Sequence, residues 1–189
     1  MIQKSKRRER IMASLIDGLI TGALVLPATS LVYFKVEYQF ISSVVSLAVG
    51  YWYYVIYLLR NETLIGKRSQ GLKVYSIDGS RISYSQCLKR YLSYKFLVII
   101  QLILICYFSF NTSDIGYSEL GILDKLGFVV KSNMDIFKPV TSLTHFWFFA
   151  NVLFLLFEKN RRTLADYFAG TMVGRKVEDE IDTIGKEGL

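Results

Sequence analysis

Four apolar runs organise this chain, at about 11–34, 38–59, 92–110 and 139–157. Each is long enough for a helix of about 20 residues that crosses a bilayer. The second and fourth carry no formal charge, the third has Lys95 near its start, and the first contains one charge, Asp17. The segment 60–91 is patterned differently. Leu72 to Ile77 and Arg81 to Tyr84 flank Asp78-Gly79, which predicts a β-hairpin with a type I′ turn. Ser83 and Gln86 then fit a capping box, opening a helix with Leu88, Tyr91 and Leu92 on its apolar side that runs into the third span.

The segment 111–138 is punctuated by Gly, Ser and Asp, with one short amphipathic helix expected around Leu120 to Val130. Thr163 and Asp166 fit a second capping box, followed by Leu164, Tyr167 and Phe168 on one side of a short amphipathic helix. The acidic, Gly-containing stretch 178–189 reads as a mobile tail. The pattern predicts an all-α membrane protein: a four-transmembrane-helix bundle with a small cytoplasmic β-hairpin and an amphipathic C-terminal helix. The membrane domain covers 1–177.

Composition agrees. Of 189 residues, 52% are hydrophobic and only 21% charged, more apolar than a soluble domain of this size requires. The 13 Tyr and 13 Phe suit positions at lipid interfaces. The net charge of +7 flanks the apolar runs and follows topology, so nucleic acid is not the expected partner; the lipid bilayer is.

Lys and Arg counts set the orientation. Residues 1–10 carry five, 60–95 carry eight and 158–189 carry six, whereas 111–138 carries three against four acids. Both termini and the 60–91 loop are therefore expected in the cytoplasm, with 111–138 outside. The basic start followed by an apolar run resembles a signal peptide, but its length and Asp17 favour a retained first span. Lys and Arg of the turn and strand expected over Thr63 to Val74 are read as contacts to anionic headgroups. Cys87 and Cys106 read as packing residues. No metal site, no cofactor and no hydrolytic constellation is expected, and the chain is not expected to be an enzyme.

An ionised carboxylate inside a span costs about 2.5–3.5 kcal/mol on insertion scales. Asp17 must therefore be paired, hydrated, protonated or used. On the helical wheel it shares a stripe with Arg10, Ser14, Thr21 and Ala28. Arg10 lies two turns earlier, about 10 Å along the axis. Beside the stripe, Gly18 and Gly22 form a small-residue pair. Ser42, Ser46 and Gly50 form a matching ridge on the second span, continued by Tyr53 and Tyr57. Small residues let helices approach closely in lipid, so the packing set is Ser14, Gly18, Gly22, Ser42, Ser46 and Gly50. Asp17, Thr21 and His145 are the candidate ion or proton site, a carboxylate and a hydroxyl of one stripe with an imidazole, the side-chain type suited to relaying protons. Gln101 and Asn151 are expected to bond between helices.

Three segments together resemble the RDD family of bacterial membrane proteins. They are Arg10-Ile-Met-Ala-Ser-Leu-Ile-Asp17; Thr63-Leu-Ile-Gly-Lys-Arg68 with Gly71-Leu72-Lys73-Val74 and Asp78-Gly79; and Arg162-Thr-Leu-Ala-Asp166 ending in Ala169-Gly-Thr-Met-Val173. The family's one Arg and two Asp match Arg10, Asp17 and Asp166, and the resemblance covers about residues 7–175. It implies a bacterial plasma-membrane location and either of two roles. Some members are linked to cation/proton antiport, and others resemble accessory proteins of larger membrane systems. The expected function is therefore cation- or proton-coupled transport through Asp17. The alternative is a non-transporting partner, an assembly or regulatory subunit bound to another membrane protein or to a second copy. The structural reading of Asp17, set against its use in transport, is an Arg10 guanidinium that bridges Asp17 and Asp166.

Overall fold

A computed structural model describes residues 2–30, 38–111 and 117–176. The expected end of the first span beyond Ser30 and the tail 178–189 lie outside the described residues. In chain order the elements are β1 (Ile2–Lys4), α1 (Arg7–Ser30), α2 (Tyr38–Tyr51), a π-helical segment (Trp52–Tyr57), α3 (Leu58–Asn61), α4 (Ile65–Ser69) and β2 (Lys73–Ser76). There follow α5 (Tyr84–Asn111), a 3₁₀ turn (Tyr117–Glu119), α6 (Ile122–Ser132), α7 (Met134–Phe157), α8 (Leu164–Ala169) and β3 (Thr171–Lys176).

Among the described residues, four helices are long and apolar enough to cross a membrane: Arg7–Ser30, Tyr38–Asn61, Tyr84–Phe108 and Met134–Phe157. Between 11% and 28% of their most apolar stretches is buried inside the protein. Much of the rest is outward apolar surface, among it Leu19, Phe96, Ile103, Phe146 and Phe148, which a bilayer covers and water does not.

The chain forms two compact units. The first contains Met1–Leu19, Tyr53–Ser93 and Ala150–Leu189. Its sheet has the order β1-β3-β2, antiparallel throughout. Gly174 of β3 stands opposite Lys4 on one side and Lys73 on the other. This corrects the expected hairpin. The partner of β2 is β3, almost a hundred residues on, and only Tyr75 and Arg81 form an isolated bridge across the turn. The turn itself exists, with the Gly79 N–H donating to the Ser76 carbonyl at 2.9 Å. Only Gly79 is left-handed there, so it is not a type I′ turn. A two-stranded hairpin is marginal alone. Here β3 supplies the buried residues Thr171 and Val173, and Val74, Leu72, Leu64, Ile82 and Ala165 are buried in the same unit.

Both capping boxes form. Ser83 and Gln86 exchange bonds at 3.0 and 3.3 Å, and α5 runs unbroken from there through the third span. Thr163 and Asp166 cap α8, which Gly170 ends in the left-handed conformation at φ 64°.

The second unit contains Ile20–Trp52 and Tyr94–Phe149. Tyr117, Val129 and Phe137 are its buried cluster, against Leu104, Ile105 and Phe108. The short amphipathic helix expected near 120–130 is α6. The Gln101 amide donates to Thr141 Oγ1 at 3.0 Å, joining α5 to α7 as expected. The Gln39 amide donates to the Lys125 carbonyl at 2.8 Å.

Candidate functional site

Among the described residues of the first unit, five charged side chains are buried: Arg10, Asp17, Lys67, Arg90 and Asp166. They form two carboxylate centres, carried by α1, α4, α5 and α8.

Asp17 lies on α1 and is 1% exposed. Its Oδ2 faces the Lys67 ammonium at 3.0 Å. Its Oδ1 accepts from the Tyr53 hydroxyl at 2.6 Å and from the Gly66 N–H at 2.7 Å. The Tyr53 hydroxyl in turn accepts from the Ile65 N–H at 3.1 Å. Two orphan N–H groups in the first turn of α4 are thus satisfied by Asp17 and Tyr53, since Leu64 at its N-cap has no side-chain acceptor. A carboxylate at a helix N-terminus is also favoured by the helix dipole. The contact demands a glycine. A Cβ at Gly66 would stand 2.2 Å from the Ala13 carbonyl oxygen and 2.8 Å from the Asp17 N and Oδ1. Tyr53 belongs to the π-helical segment, a geometry that often marks functional positions within a helix. Its ring stacks on Tyr57 with centroids 5.6 Å apart.

Asp166 is fully buried on α8. Oδ1 pairs with Arg90 Nη2 at 2.9 Å, and Oδ2 pairs with Arg10 Nη2. Oδ2 also accepts the Thr163 N–H at 3.1 Å as part of the cap. The other Arg10 nitrogen, Nη1, donates to the Arg161 carbonyl. Burial alone would raise the Asp166 pKa, but the Arg90 and Arg10 charges, with the Thr163 N–H, hold it well below the usual carboxylate range. Burial pushes the Lys67 ammonium the other way, to a lower proton affinity, opposed mainly by Asp17.

The expected bridge is therefore half realised. The Arg10 ion pair goes to Asp166, while the ion pair of Asp17 is with Lys67. Geometry explains the division. Arg10 and Asp17 are two turns apart on one helix, farther than a guanidinium spans without distorting it. Lys67 also corrects an expectation: it is buried rather than turned to headgroups, whereas Arg68 is exposed. From sequence, Lys67 reads as a headgroup contact and Arg90 as one of the charges that set topology. The signal that finds Arg90 is its place beside buried Cys87 and Tyr91 on one face of α5.

The other expected residues belong to several helices. His145 is exposed on α7 in the second unit, and Thr21 is half-buried there. Ser42 and Gly50 of the α2 ridge are buried and Ser46 is half-buried. On α1, Ser14, Gly18 and Gly22 are exposed, and a Cβ at Gly18 or Gly22 would meet no described atom within 4 Å. The glycine pair therefore does not mark a close helix approach among the described residues. The close approach of α1 is at Gly66 instead. Asn151, expected to bond between helices, accepts the Ala165 N–H of α8 at 3.3 Å. Cys87 and Cys106 are both free thiols.

The sequence model of the RDD family matches residues 5–170. Comparison with curated proteins and with solved structures gives no match.

Proposed function

The chain belongs to the RDD family, and we propose that it acts as a non-transporting partner in the membrane, an assembly or regulatory subunit held rigid by its two carboxylate centres. One observation carries this reading. All four oxygens of Asp17 and Asp166 already accept from protein donors. A carboxylate that carries an ion must exchange its partners. Here that exchange would leave buried Lys67, or Arg10 and Arg90, without a counter-charge, a loss of about 3–5 kcal/mol for a buried pair.

The reading places the protein in a bacterial plasma membrane with the three-stranded sheet on the cytoplasmic side. Pairing of β1, β2 and β3 supports this, because it requires residues 2–4, 73–76 and 171–176 to share one side. The Lys and Arg bias makes that side the cytoplasm. The partner is another membrane protein or a second copy, and no catalytic step is assigned.

One observation favours the runner-up, cation- or proton-coupled transport. Lys67 is buried, with its proton affinity lowered, directly against Asp17. Such a lysine is able to hand over a proton.

Reconstituted vesicles separate the two. With a pH-sensitive dye inside and sodium or potassium gradients imposed, the partner reading expects flux equal to that of empty vesicles. Flux above empty vesicles that disappears in Asp17→Asn overturns it. Cross-linking in native membranes then expects one stoichiometric partner. Repeated recovery of the uncross-linked chain alone counts against the reading.

A further inference from the structure

The buried charges of the first unit do not balance. Arg10, Lys67 and Arg90 supply three positive charges, Asp17 and Asp166 two negative ones. These are the buried charged side chains among the described residues of that unit. An uncompensated charge in a low-dielectric interior is costly, so structures neutralise it or supply a counter-ion.

A second, independent feature points the same way. Arg90 is 8% exposed and gives Nη2 to Asp166, yet its Nη1 is buried with no acceptor among the described residues. A buried guanidinium N–H without a partner is rare, because it forfeits hydration and gains nothing in return. Lys67 has three N–H donors and gives one to Asp17 Oδ2. It lies within electrostatic reach of both Arg90 and Asp166, so the excess charge is shared by neighbouring groups.

We propose that this unit binds one small monovalent inorganic anion, of halide size, at Arg90 Nη1, with Lys67 supplying part of the positive charge that it offsets. One negative charge brings the cluster to neutrality and gives the orphan N–H its acceptor. The size follows from burial: Arg90 and Lys67 are each more than nine-tenths covered, which excludes a phosphate headgroup with its glycerol and chains. Chloride is the physiological anion of that size. The inference stands apart from the partner reading, since the ion serves as a structural counter-charge whatever the chain assembles with.

The test uses the full chain in detergent. Its melting temperature is followed as chloride replaces gluconate at constant ionic strength. The expected result is a saturable rise with chloride. Arg90→Lys keeps a cation for Asp166 but loses the second guanidinium nitrogen, so the chloride response should vanish, while the exposed control Arg60→Lys keeps it. Lys67→Met leaves two cations against two carboxylates and should also abolish the response. Crystals grown in bromide should show an anomalous peak within hydrogen-bond distance of Arg90 Nη1. Equal melting in chloride and gluconate overturns the proposal, and so does a response retained in both variants. If neither variant folds, the bromide map of the wild type decides, and no peak at that position overturns it.

Discussion

The Lys67 ammonium sits 3.0 Å from Asp17 Oδ2, joining α4 to α1 across fifty residues of sequence. Both side chains are about 90% or more buried, so neither is hydrated when the other is removed. Asp17→Asn should therefore destabilise the protein by about 3–5 kcal/mol. Asp17→Asn combined with Lys67→Met should lose clearly less than the sum of the two single losses, because the double variant leaves neither member of the pair charged without the other. Denaturant unfolding in detergent measures the cycle. Strict additivity would show that the pair is not coupled.

The Tyr53 hydroxyl donates to Asp17 and accepts from the Ile65 N–H. Tyr53→Phe removes both bonds and leaves the ring in place. Bonds to charged groups contribute about 1.5–3 kcal/mol, so a loss in that range is expected. Tyr54→Phe, one residue on and half-buried, should change stability less. Equal effects would mean that the hydroxyl of Tyr53 does not hold Asp17.

Arg10 is buried against Asp166 and the Arg161 carbonyl, whereas Lys6 is exposed. Arg10→Ala should cost about 3–5 kcal/mol, and Lys6→Ala should stay within about 0.5 kcal/mol. Melting of the two variants side by side checks this. Equal shifts would reject a stabilising role for the Arg10–Asp166 pair.

Glycines on the two helices should respond in opposite directions. Gly66→Ala forces a methyl group against the Ala13 carbonyl and the Asp17 backbone, neither of which can step aside without moving α1. A loss of about 3 kcal/mol is expected. At Gly18 the new methyl group meets open space, and alanine favours a helix by about 0.8–1 kcal/mol over glycine. Unfolding measurements on the two variants should differ in sign.

The spans, both capping boxes and the short helix after the third span were legible because periodicity and capping act within a few residues. The sheet was not. Strand β2 has turn chemistry beside it that favours a hairpin, and nothing near Lys73 announces a partner at Gly174. The charge centres were legible in part. Asp17 and Asp166 stood out, one by its apolar surroundings and one by its cap, and Arg10 by its phase with Asp17. Lys67 and Arg90 sit among other basic residues, where a local reading cannot separate a buried cation from a topology charge. The small residues show the same limit: Gly18 and Gly22 look like a packing face, but the glycine that packs is Gly66, outside any long helix.

Acid should act on Asp166 with a definite sign. Its folded-state pKa is held below the ordinary aspartate value of about 3.9 by Arg90, Arg10 and the Thr163 N–H, although burial opposes them. The unfolded chain therefore takes up a proton first as pH falls. The contribution to stability is fully present above about pH 4 and is lost progressively as pH drops towards the folded-state value. Wild-type melting temperature should accordingly fall below about pH 4. Asp166→Asn should be less stable at neutral pH, because Arg10 and Arg90 lose their counter-charge, yet should lack this component of the acid slope. Melting curves between pH 3 and pH 7 compare the two directly. Parallel slopes in wild type and variant would mean that acid sensitivity originates elsewhere in the chain.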